Sequence, residues 1–274
     1  MPPIAVHNCG ALRRCHFRVD RNSRAELTRR RDAGVLTWRG PALVLFARSA
    51  CAVIAQALTA AIFAFGSSPT PWRDTEAWLP VYGTLIDAGC LALLWRLMRR
   101  EGIGLFTLVG FDRTRLFRDV LIGLVLIAPS LVLILGGVAV SGLLVYGTPR
   151  SPYLFGALPL PAAFYGVLIF PIIWGLTEQM TYNAYLLPRI EVLGRSTGWA
   201  AALVAFAWSI QHAFMPMTFD AKFMIFRALS PIPFSVFITI VYLRIRRLLP
   251  FVLAHAAMDG ASVFVGVLLP LLRS

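Results

Sequence analysis

The stretch LPLPAAFYGVLIFPIIWGLTEQMTYNAYLLPRI, residues 158–190, decides the class of fold that this chain can adopt. Its apolar run is long enough to cross a bilayer as a helix, since about 20 such residues span the hydrocarbon core. Glu178 interrupts the run, and a carboxylate at that depth is costly unless it has a partner or a function. The stretch therefore predicts a membrane helix that carries a functional acid.

The composition of the whole chain extends this prediction to a polytopic membrane protein. Hydrophobic residues make up 58% of the 274 residues and charged residues only 14%, whereas a soluble domain carries about 25% charged residues. The mean hydropathy is +0.72. These values exclude a soluble globular domain. We expect an all-α bundle of about seven transmembrane helices, embedded in the lipid bilayer.

Seven apolar runs have a length that suits a membrane span. The third and fourth are long enough to require a tilt, a kink or a protruding end. No internal repeat is visible, and residues 41–274 form one membrane domain whose motif-bearing core lies at about 158–271. The predicted spans are residues 42–66, 78–96, 119–146, 158–188, 197–217, 225–243 and 249–271.

The basic residues indicate how these spans are oriented. The formal net charge is +13, and the basic residues are 25 Arg and one Lys. When all 26 are assigned to the two sides of the seven spans, 21 fall on one side and 5 on the other. Cytoplasmic loops collect Lys and Arg, so we expect a multi-pass plasma-membrane protein with a cytoplasmic N-terminus. The charge thus reports topology, with attraction to anionic lipid as a secondary effect, and no nucleic-acid partner is expected.

Residues 1–40 form a basic arm in front of the first predicted span. They contain no apolar segment of the length that a cleavable signal peptide needs. We expect the arm to be disordered or to lie along the cytoplasmic membrane surface. Cys9 and Cys15 lie in it beside two histidines, but their spacing matches no zinc pattern.

Five ionisable residues away from the helix ends lie inside the predicted spans: Asp87, Glu178, His212, His255 and Asp259. Such residues usually face the interior of a bundle and mark a functional site. Asp87 stands alone in the second span, and we interpret it as a packing acid or an acid in a water cavity. The other four fall in three short signatures on separate helices. We expect them to share one site, although a helix–helix hydrogen bond would explain any one of them.

Two of the three signatures place a pair of residues on one helix face, because side chains four apart in a helix point the same way. In WSIQH, residues 208–212, the pair is Trp208 and His212. In HAAMD, residues 255–259, it is His255 and Asp259. The remaining signature, EQMTYN, begins with Glu178.

These residues can hydrolyse a peptide bond without a nucleophilic Ser or Cys. Burial disfavours the ionised form of a carboxylate, which suits Glu178 as a general base that takes a proton from water near neutral pH. One histidine can hold the same water, and the other can donate a hydrogen bond to a developing oxyanion. An acid one helical turn away can fix the tautomer and orientation of that imidazole.

A zinc site is the alternative use of the same donors, because Glu and His are zinc ligands. The zincin pattern H-E-x-x-H is absent. If Glu178 bound a metal, no carboxylate beside the set would remain as general base. We therefore expect catalysis without a metal or other cofactor, and we keep zinc as the alternative.

The order of the three signatures, E-x-x-x-x-(R/N), (F/W)-x-x-x-H and H-x-x-x-(N/D), resembles the CPBP family. That family includes the CAAX prenyl proteases and many bacterial relatives, some of them linked to bacteriocin immunity. The resemblance covers about residues 165–265, and the stretches SIQHAFMP and LAHAAMDG strengthen it. It implies an intramembrane endopeptidase whose site opens to the cytoplasm. By position, Glu178 matches the catalytic Glu, His212 the histidine that shares the activated water, and His255 with Asp259 the pair proposed to hold the oxyanion.

The first signature departs from the family pattern E-E-x-x-x-R. Gln179 stands where the family has its second Glu, Asn183 where it has Arg, and Trp208 where Phe is usual. Gln179 and Asn183 are four apart and face each other on the helix, so we expect an amide–amide pair in place of an ion pair. Because both amides are neutral, the change leaves no unpaired charge in the membrane, and Glu178 is kept.

Three functions remain compatible with these residues. The first is an intramembrane endopeptidase acting on a membrane-embedded or membrane-associated peptide or protein. The second is a catalytically silent binding, scaffold or bacteriocin-immunity protein of the same fold, which the altered first signature favours. The third is a proton-coupled transporter that uses the Glu and His as a relay, although the inverted repeat typical of many transporters is missing.

Overall fold

The computed structural model describes residues 21–152 and 156–273. Within these ranges every regular element is a helix, so the predicted all-α class is confirmed. The α-helices are α1 (Arg24–Asp32), α2 (Arg39–Phe65), α3 (Pro71–Asp74), α4 (Leu79–Arg100), α5 (Leu116–Tyr146), α6 (Leu160–Leu168), α7 (Phe170–Gln179), α8 (Leu187–Gly194), α9 (Thr197–Ile210), α10 (Ala221–Leu229), α11 (Ile232–Ile245), α12 (Leu249–Val263) and α13 (Leu269–Arg273).

Six helical segments in the described ranges are long and apolar enough to cross a membrane, close to the seven expected. The predicted fifth span, residues 197–217, is not among them, because α9 has only 14 residues before a 3-10 turn, Gln211–Phe214, continues it. α9 is nevertheless part of the bundle, since it packs against α8 and α11. The six segments are Arg39–Phe65, Pro71–Arg100, Leu105–Tyr146, Leu160–Gly194, Ala221–Ile245 and Leu249–Arg273.

The core of the bundle forms where α5 and α7 pack on α12 and where α2 packs on α4. Gly175 permits the close approach of α7 to α12. A Cβ atom at Gly175 would lie 3.2 Å from the backbone nitrogen of Ala256 and 3.4 Å from the Cβ atom of His255. A larger residue at this position would therefore push apart the two helices that carry two of the three signatures.

The opening stretch is one long membrane segment with two changes of helical geometry. α6 ends at Leu168, and α7 begins beside Pro171, a position in the first turn of a helix that proline favours. After Gln179 the helix widens into a π-helical segment, Met180–Leu186, before α8 continues it. π-Helical turns often occur at functional sites, and this one begins two residues after Glu178 and carries the buried Asn183.

The second half of the basic arm differs from the disorder expected for residues 1–40. α1 begins after Ser23, whose side chain accepts a hydrogen bond from the backbone of Glu26. Leu27 is fully buried and packs against Leu36 and Val192. The arm is ordered because its arginines bind partners far away in the sequence. Arg30 pairs with Glu101, and Arg31 donates a hydrogen bond to the Val192 carbonyl. Residues 1–20, with Cys9 and Cys15, lie outside the described residues.

Arg189 fastens this arm to the end of the long motif segment. Its guanidinium is fully buried and forms hydrogen bonds of 2.7 and 2.9 Å with the Glu101 carboxylate. It also donates to the Asn22 side chain at 3.0 Å and to the Tyr185 carbonyl at 3.2 Å. Asn22 in turn donates to the Ala184 carbonyl at 3.0 Å. The arm thus satisfies one carbonyl of the π-helical segment, that of Ala184.

Replacing Arg189 should destabilise the protein strongly. Arg189→Gln leaves the largely buried Glu101 carboxylate without its main partner, which we expect to lower the free energy of unfolding by about 3 kcal/mol. Denaturant unfolding in detergent micelles measures the change. Arg29→Gln is the matched control, because Arg29 is 72% exposed in its ion pair with Glu26. Equal stability of the two variants would contradict the role of Arg189.

The number of membrane crossings depends on α9. We propose that α9 with its 3-10 extension crosses the membrane as the shortest span. The C-terminal end then lies opposite the N-terminus, outside the cytoplasm. A reporter fused after Arg273 should show an extracytoplasmic signal, and one fused after Arg100 a cytoplasmic signal. Cytoplasmic signals at both positions would leave six crossings and exclude α9 as a span.

Candidate functional site

Three helices bring predicted site residues together in the centre of the bundle. α7 carries Glu178, α9 carries Trp208 and α12 carries His255. Trp208 donates from Nε1 to Glu178 Oε2 at 2.6 Å, and His255 Nε2 lies 3.6 Å from the same oxygen. Glu178 is fully buried, and the other two are exposed by 3% or less. Residues from three signatures, separated by up to 77 positions, therefore meet around one carboxylate.

Aromatic packing fixes the indole of Trp208 against Glu178. The indole stacks on the ring of Tyr182 with centroids 5.3 Å apart and an interplanar angle of 8°. Phe234 meets it edge-on at 5.8 Å, and the same Phe234 ring contacts the imidazole of His255 at 5.3 Å. A large aromatic side chain at position 208 thus has both a packing role and a hydrogen-bonding role, and the indole supplies an N–H donor that the usual Phe lacks.

Both oxygens of the Glu178 carboxylate face N–H groups. Oε2 accepts the hydrogen bond from Trp208, and Oε1 accepts one from Gln211 Nε2 at 2.9 Å. The Arg48 guanidinium lies 3.3 Å from Oε1. Donors on both oxygens suit the carboxylate form, because an ionised carboxylate only accepts hydrogen bonds.

His212 is the second residue of the 3-10 turn that extends α9. Its Nδ1 atom is 3.0 Å from the carbonyl oxygen of Trp208. Since a carbonyl oxygen can only accept, Nδ1 carries the proton and Nε2 is left as an acceptor. Among the described residues no hydrogen bond joins His212 directly to Glu178, which leaves this acceptor for a water or a substrate.

His255 is held by the amide pair of the first signature. Asn183 donates from Nδ2 to Gln179 Oε1 at 2.6 Å, so the two amides meet as the spacing predicted. Gln179 Nε2 therefore faces His255 Nδ1, at 3.3 Å. Because the amide N–H donates, Nδ1 of His255 accepts, and the ring proton sits on Nε2. That N–H lies between two carboxylates, Glu178 at 3.6 Å and Asp259 at 3.4 Å.

Asp259 is the most accessible of the predicted acids, with a side chain that is 21% exposed. Its Oδ2 atom has no hydrogen-bond partner among the described residues. The 3.4 Å separation from His255 Nε2 exceeds the usual N–H···O range, so the contact is chiefly electrostatic. Asp259 is one helical turn from His255, as the H-x-x-x-D spacing required.

Sequence reasoning missed Arg48 and therefore the partner of Asp87. Arg48 was one of the 21 basic residues assigned to the cytoplasmic side, which is wrong, because it lies inside α2 and is fully buried. Its NH1 atom donates to Asp87 Oδ1 at 2.7 Å, so Asp87 does not stand alone. Opposite charges in two neighbouring apolar runs were the signal that could have revealed this pair.

Gln211 was also missed, although it lies inside the second signature. Its Oε1 atom accepts from Arg48 Nε at 2.9 Å and from the Tyr182 hydroxyl at 3.0 Å. With two donors on Oε1, the amide nitrogen must face Glu178. Gln211 therefore links the carboxylate to both α2 and the π-helical segment.

The donors around Glu178 do not fit a metal site. Within the described residues no group of three or more His, Cys, Asp or Glu side chains is arranged to hold an ion. More specifically, Trp208 and Gln211 already present N–H groups to the two Glu178 oxygens, where a cation would have to bind. Ligation through this carboxylate would require both donors to move away.

Residues 160–261 match the family model described as Rce1-like, type II CAAX prenyl endopeptidase. The match runs from α6 to within α12 and includes the three signatures, but neither Arg48 nor Asp87. It confirms the resemblance drawn from those signatures and supports a membrane-protease type of function. Neither the curated proteins nor the solved structures include a match to this chain.

The amide pair gives a test of the altered first signature. Gln179→Glu and Asn183→Arg each place an unpaired charge against a neutral amide, whereas the double variant forms an ion pair. We expect the double variant to recover about 1–3 kcal/mol relative to the sum of the two single changes. Unfolding in detergent micelles measures all three, and strictly additive effects would show that the side chains are uncoupled.

Proposed function

We propose that this chain is an intramembrane endopeptidase, which hydrolyses a peptide bond of a membrane-embedded or membrane-associated peptide or protein. The observation that carries the proposal is the buried Glu178 carboxylate with Trp208 and His255 around it, each on its own helix. Such a convergence is costly in a membrane and usually marks function. The family match over the same helices supports a proteolytic use of it.

In the proposed reaction Glu178 is the general base. Its carboxylate takes a proton from water, and the resulting hydroxide attacks the carbonyl carbon of the substrate peptide bond. The unprotonated Nε2 of His212 accepts a hydrogen bond from the same water and orients it. Glu178 then delivers the proton to the leaving nitrogen as the C–N bond breaks, which yields a carboxylic acid and an amine.

His255 is the proposed donor to the oxyanion that forms on the carbonyl oxygen. Its Nε2–H is directed by the amide pair on the opposite ring nitrogen, and Asp259, 3.4 Å from the same Nε2, helps to orient the imidazole. Preorganised donors of this kind stabilise the transition state without reorganisation. Gln179 and Asn183 thus act through His255, and Trp208 acts by holding the Glu178 carboxylate in place.

We propose that this chemistry needs no metal, and chelation tests it. Incubation of the purified protein with 1,10-phenanthroline should leave its turnover unchanged, because N–H donors occupy the Glu178 oxygens. The inactive non-chelating isomer, 1,7-phenanthroline, is the control. A loss of activity that added zinc restores would reject the metal-free mechanism and establish the zinc alternative.

Replacement of the base and of its histidine tests the catalytic roles. Glu178→Gln keeps the size of the side chain but cannot take a proton, and it retains only one of the two accepting oxygens. His212→Ala removes the acceptor for the water. Each should lower turnover by about 10²–10⁴-fold. His255→Ala removes the oxyanion donor, and Asp259→Ala weakens it. Each should lower turnover by a smaller factor, at most about 10²–10³-fold.

The assay compares membrane peptides from cells that express each variant in place of the wild-type chain. An internally quenched farnesylated CAAX peptide in proteoliposomes serves as a second probe, because the matching family is described by that substrate class. Glu76→Gln, a change of the same kind near the start of α4, is the control and should keep wild-type products. If Glu178→Gln cells keep the full peptide profile and phenotype, the protease proposal fails and a binding or immunity function replaces it.

A further inference from the structure

A positive charge reaches Glu178 from a helix outside the region that matches the protease family. Arg48 lies on α2, is fully buried, and places NH2 3.3 Å from Glu178 Oε1. The helix that carries Glu178 supplies no such charge, because residues 170–186 contain neither Arg nor Lys. The first predicted span, which carried no recognisable motif, therefore contributes directly to the site.

Three other contacts fix the orientation of the Arg48 guanidinium. Nε donates to Gln211 Oε1 at 2.9 Å, and NH1 donates to Asp87 Oδ1 at 2.7 Å. The face of the group lies over the Trp174 ring, 4.4 Å from its centroid. A guanidinium is planar and its donors are rigidly arranged, so these contacts leave NH2 directed toward Glu178. NH2 makes no hydrogen bond within the described residues, so its 3.3 Å contact with Glu178 Oε1 is an ion pair.

Asp87 holds this arrangement from the opposite side. Its side chain is buried, and Oδ1 is the atom that accepts from Arg48. Oδ2 has no hydrogen-bond partner among the described residues, so the contacts of Asp87 are directed at the guanidinium alone. One guanidinium therefore lies between two buried carboxylates, one of which is the proposed catalytic base.

We propose that Arg48, held by Asp87, is a positioning residue for the Glu178 base. It favours the carboxylate form of Glu178 and, directly and through Gln211, fixes Oε1, so that the other oxygen stays beside His255. Arg48 acts through Glu178 and touches no reacting atom itself. This inference rests on the proposed peptidase function and adds a requirement for α2 and α4, two helices that the family match does not include.

The double variant Arg48→Gln/Asp87→Asn separates positioning from structural pairing. Arg48→Gln alone leaves both carboxylates without their cation, so loss of folded protein would not be informative. The double change removes the Asp87 charge as well and keeps hydrogen-bonding side chains of similar size, so only Glu178 lacks its cation. We therefore expect the double variant to be more stable than Arg48→Gln, and turnover is scored per amount of folded protein. Turnover should nevertheless fall by about 10²-fold, since Glu178 loses its fixed geometry and its neighbouring charge.

Arg247→Gln/Asp119→Asn is the matched control for this experiment. Arg247 and Asp119 also form an Arg–Asp pair that joins two helical regions. Within the part of the chain that the structure describes, no hydrogen bond or ion pair joins them to the site residues. The double neutralisation there should leave turnover unchanged.

Arg48→Lys provides a second test, because Lys keeps the charge and loses the rigid fork. It should fold and show turnover lower on the order of tenfold, with unchanged half-saturation by substrate.

Turnover is scored on the products that wild-type cells release and that Glu178→Gln cells do not. Cleavage of the quenched farnesylated peptide is the second measure. Wild-type turnover in folded Arg48→Gln/Asp87→Asn protein, or in Arg48→Lys protein, would overturn the positioning role. If Glu178→Gln abolishes the products but those variants keep them, this inference alone fails. If Glu178→Gln keeps every product, the proposed function itself fails.

Discussion

The ion pair between the buried Glu178 carboxylate and the Arg48 guanidinium is the interaction on which the rest of the bundle depends. Removing one partner from such a pair typically costs about 3–5 kcal/mol, because the other charge is left in a medium that cannot solvate it. Here the 3.3 Å contact is supported by hydrogen bonds from Trp208 and Gln211 and by the second carboxylate of Asp87. Helices α2, α4 and α7 and the α9 region must therefore pack together before all of these charged groups have their partners.

This constraint divides the bundle into two functional parts. α2 and α4 supply the balanced pair of Arg48 and Asp87, whereas α7, α9 and α12 supply the signatures that resemble a protease site. Gln211 joins the parts, because its amide accepts from Arg48 on one side and donates to Glu178 on the other. Without that link, Trp208 would be the one remaining hydrogen-bond donor to the Glu178 carboxylate within the described residues.

How far the sequence predicts this arrangement depends on whether a feature is local. Spacings of four residues correctly predicted the contact between Gln179 and Asn183 and the position of Asp259 one turn beyond His255, since both follow from helix geometry. The convergence of the signatures was expected from the cost of intramembrane charge. Arg48 was missed because hydropathy places it near the start of a run, where basic residues are usually counted as flanks.

The folded α1 and the short α9 could not be predicted from local sequence patterns either. α1 is held in place by two distant partners. Arg30 pairs with Glu101, 71 positions away, and Arg31 donates to the carbonyl of Val192, 161 positions away. The short α9 follows from a 3-10 turn at Gln211–Phe214 that composition alone does not reveal. In each case tertiary partners, which a single sequence does not position, decide the outcome.

The neutral first signature also has a directional consequence that an ion pair at the same positions would lack. An amide has one donor end and one acceptor end, so the hydrogen bond from Asn183 to Gln179 commits Gln179 Nε2 to donate to His255. A carboxylate at position 179 would instead accept a hydrogen bond from a protonated Nδ1. The neutral ring would then present the unprotonated Nε2, an acceptor, to Glu178. The substitution of Glu by Gln therefore selects the tautomer that directs an N–H toward the buried carboxylates, which is the form that a donor to an oxyanion requires.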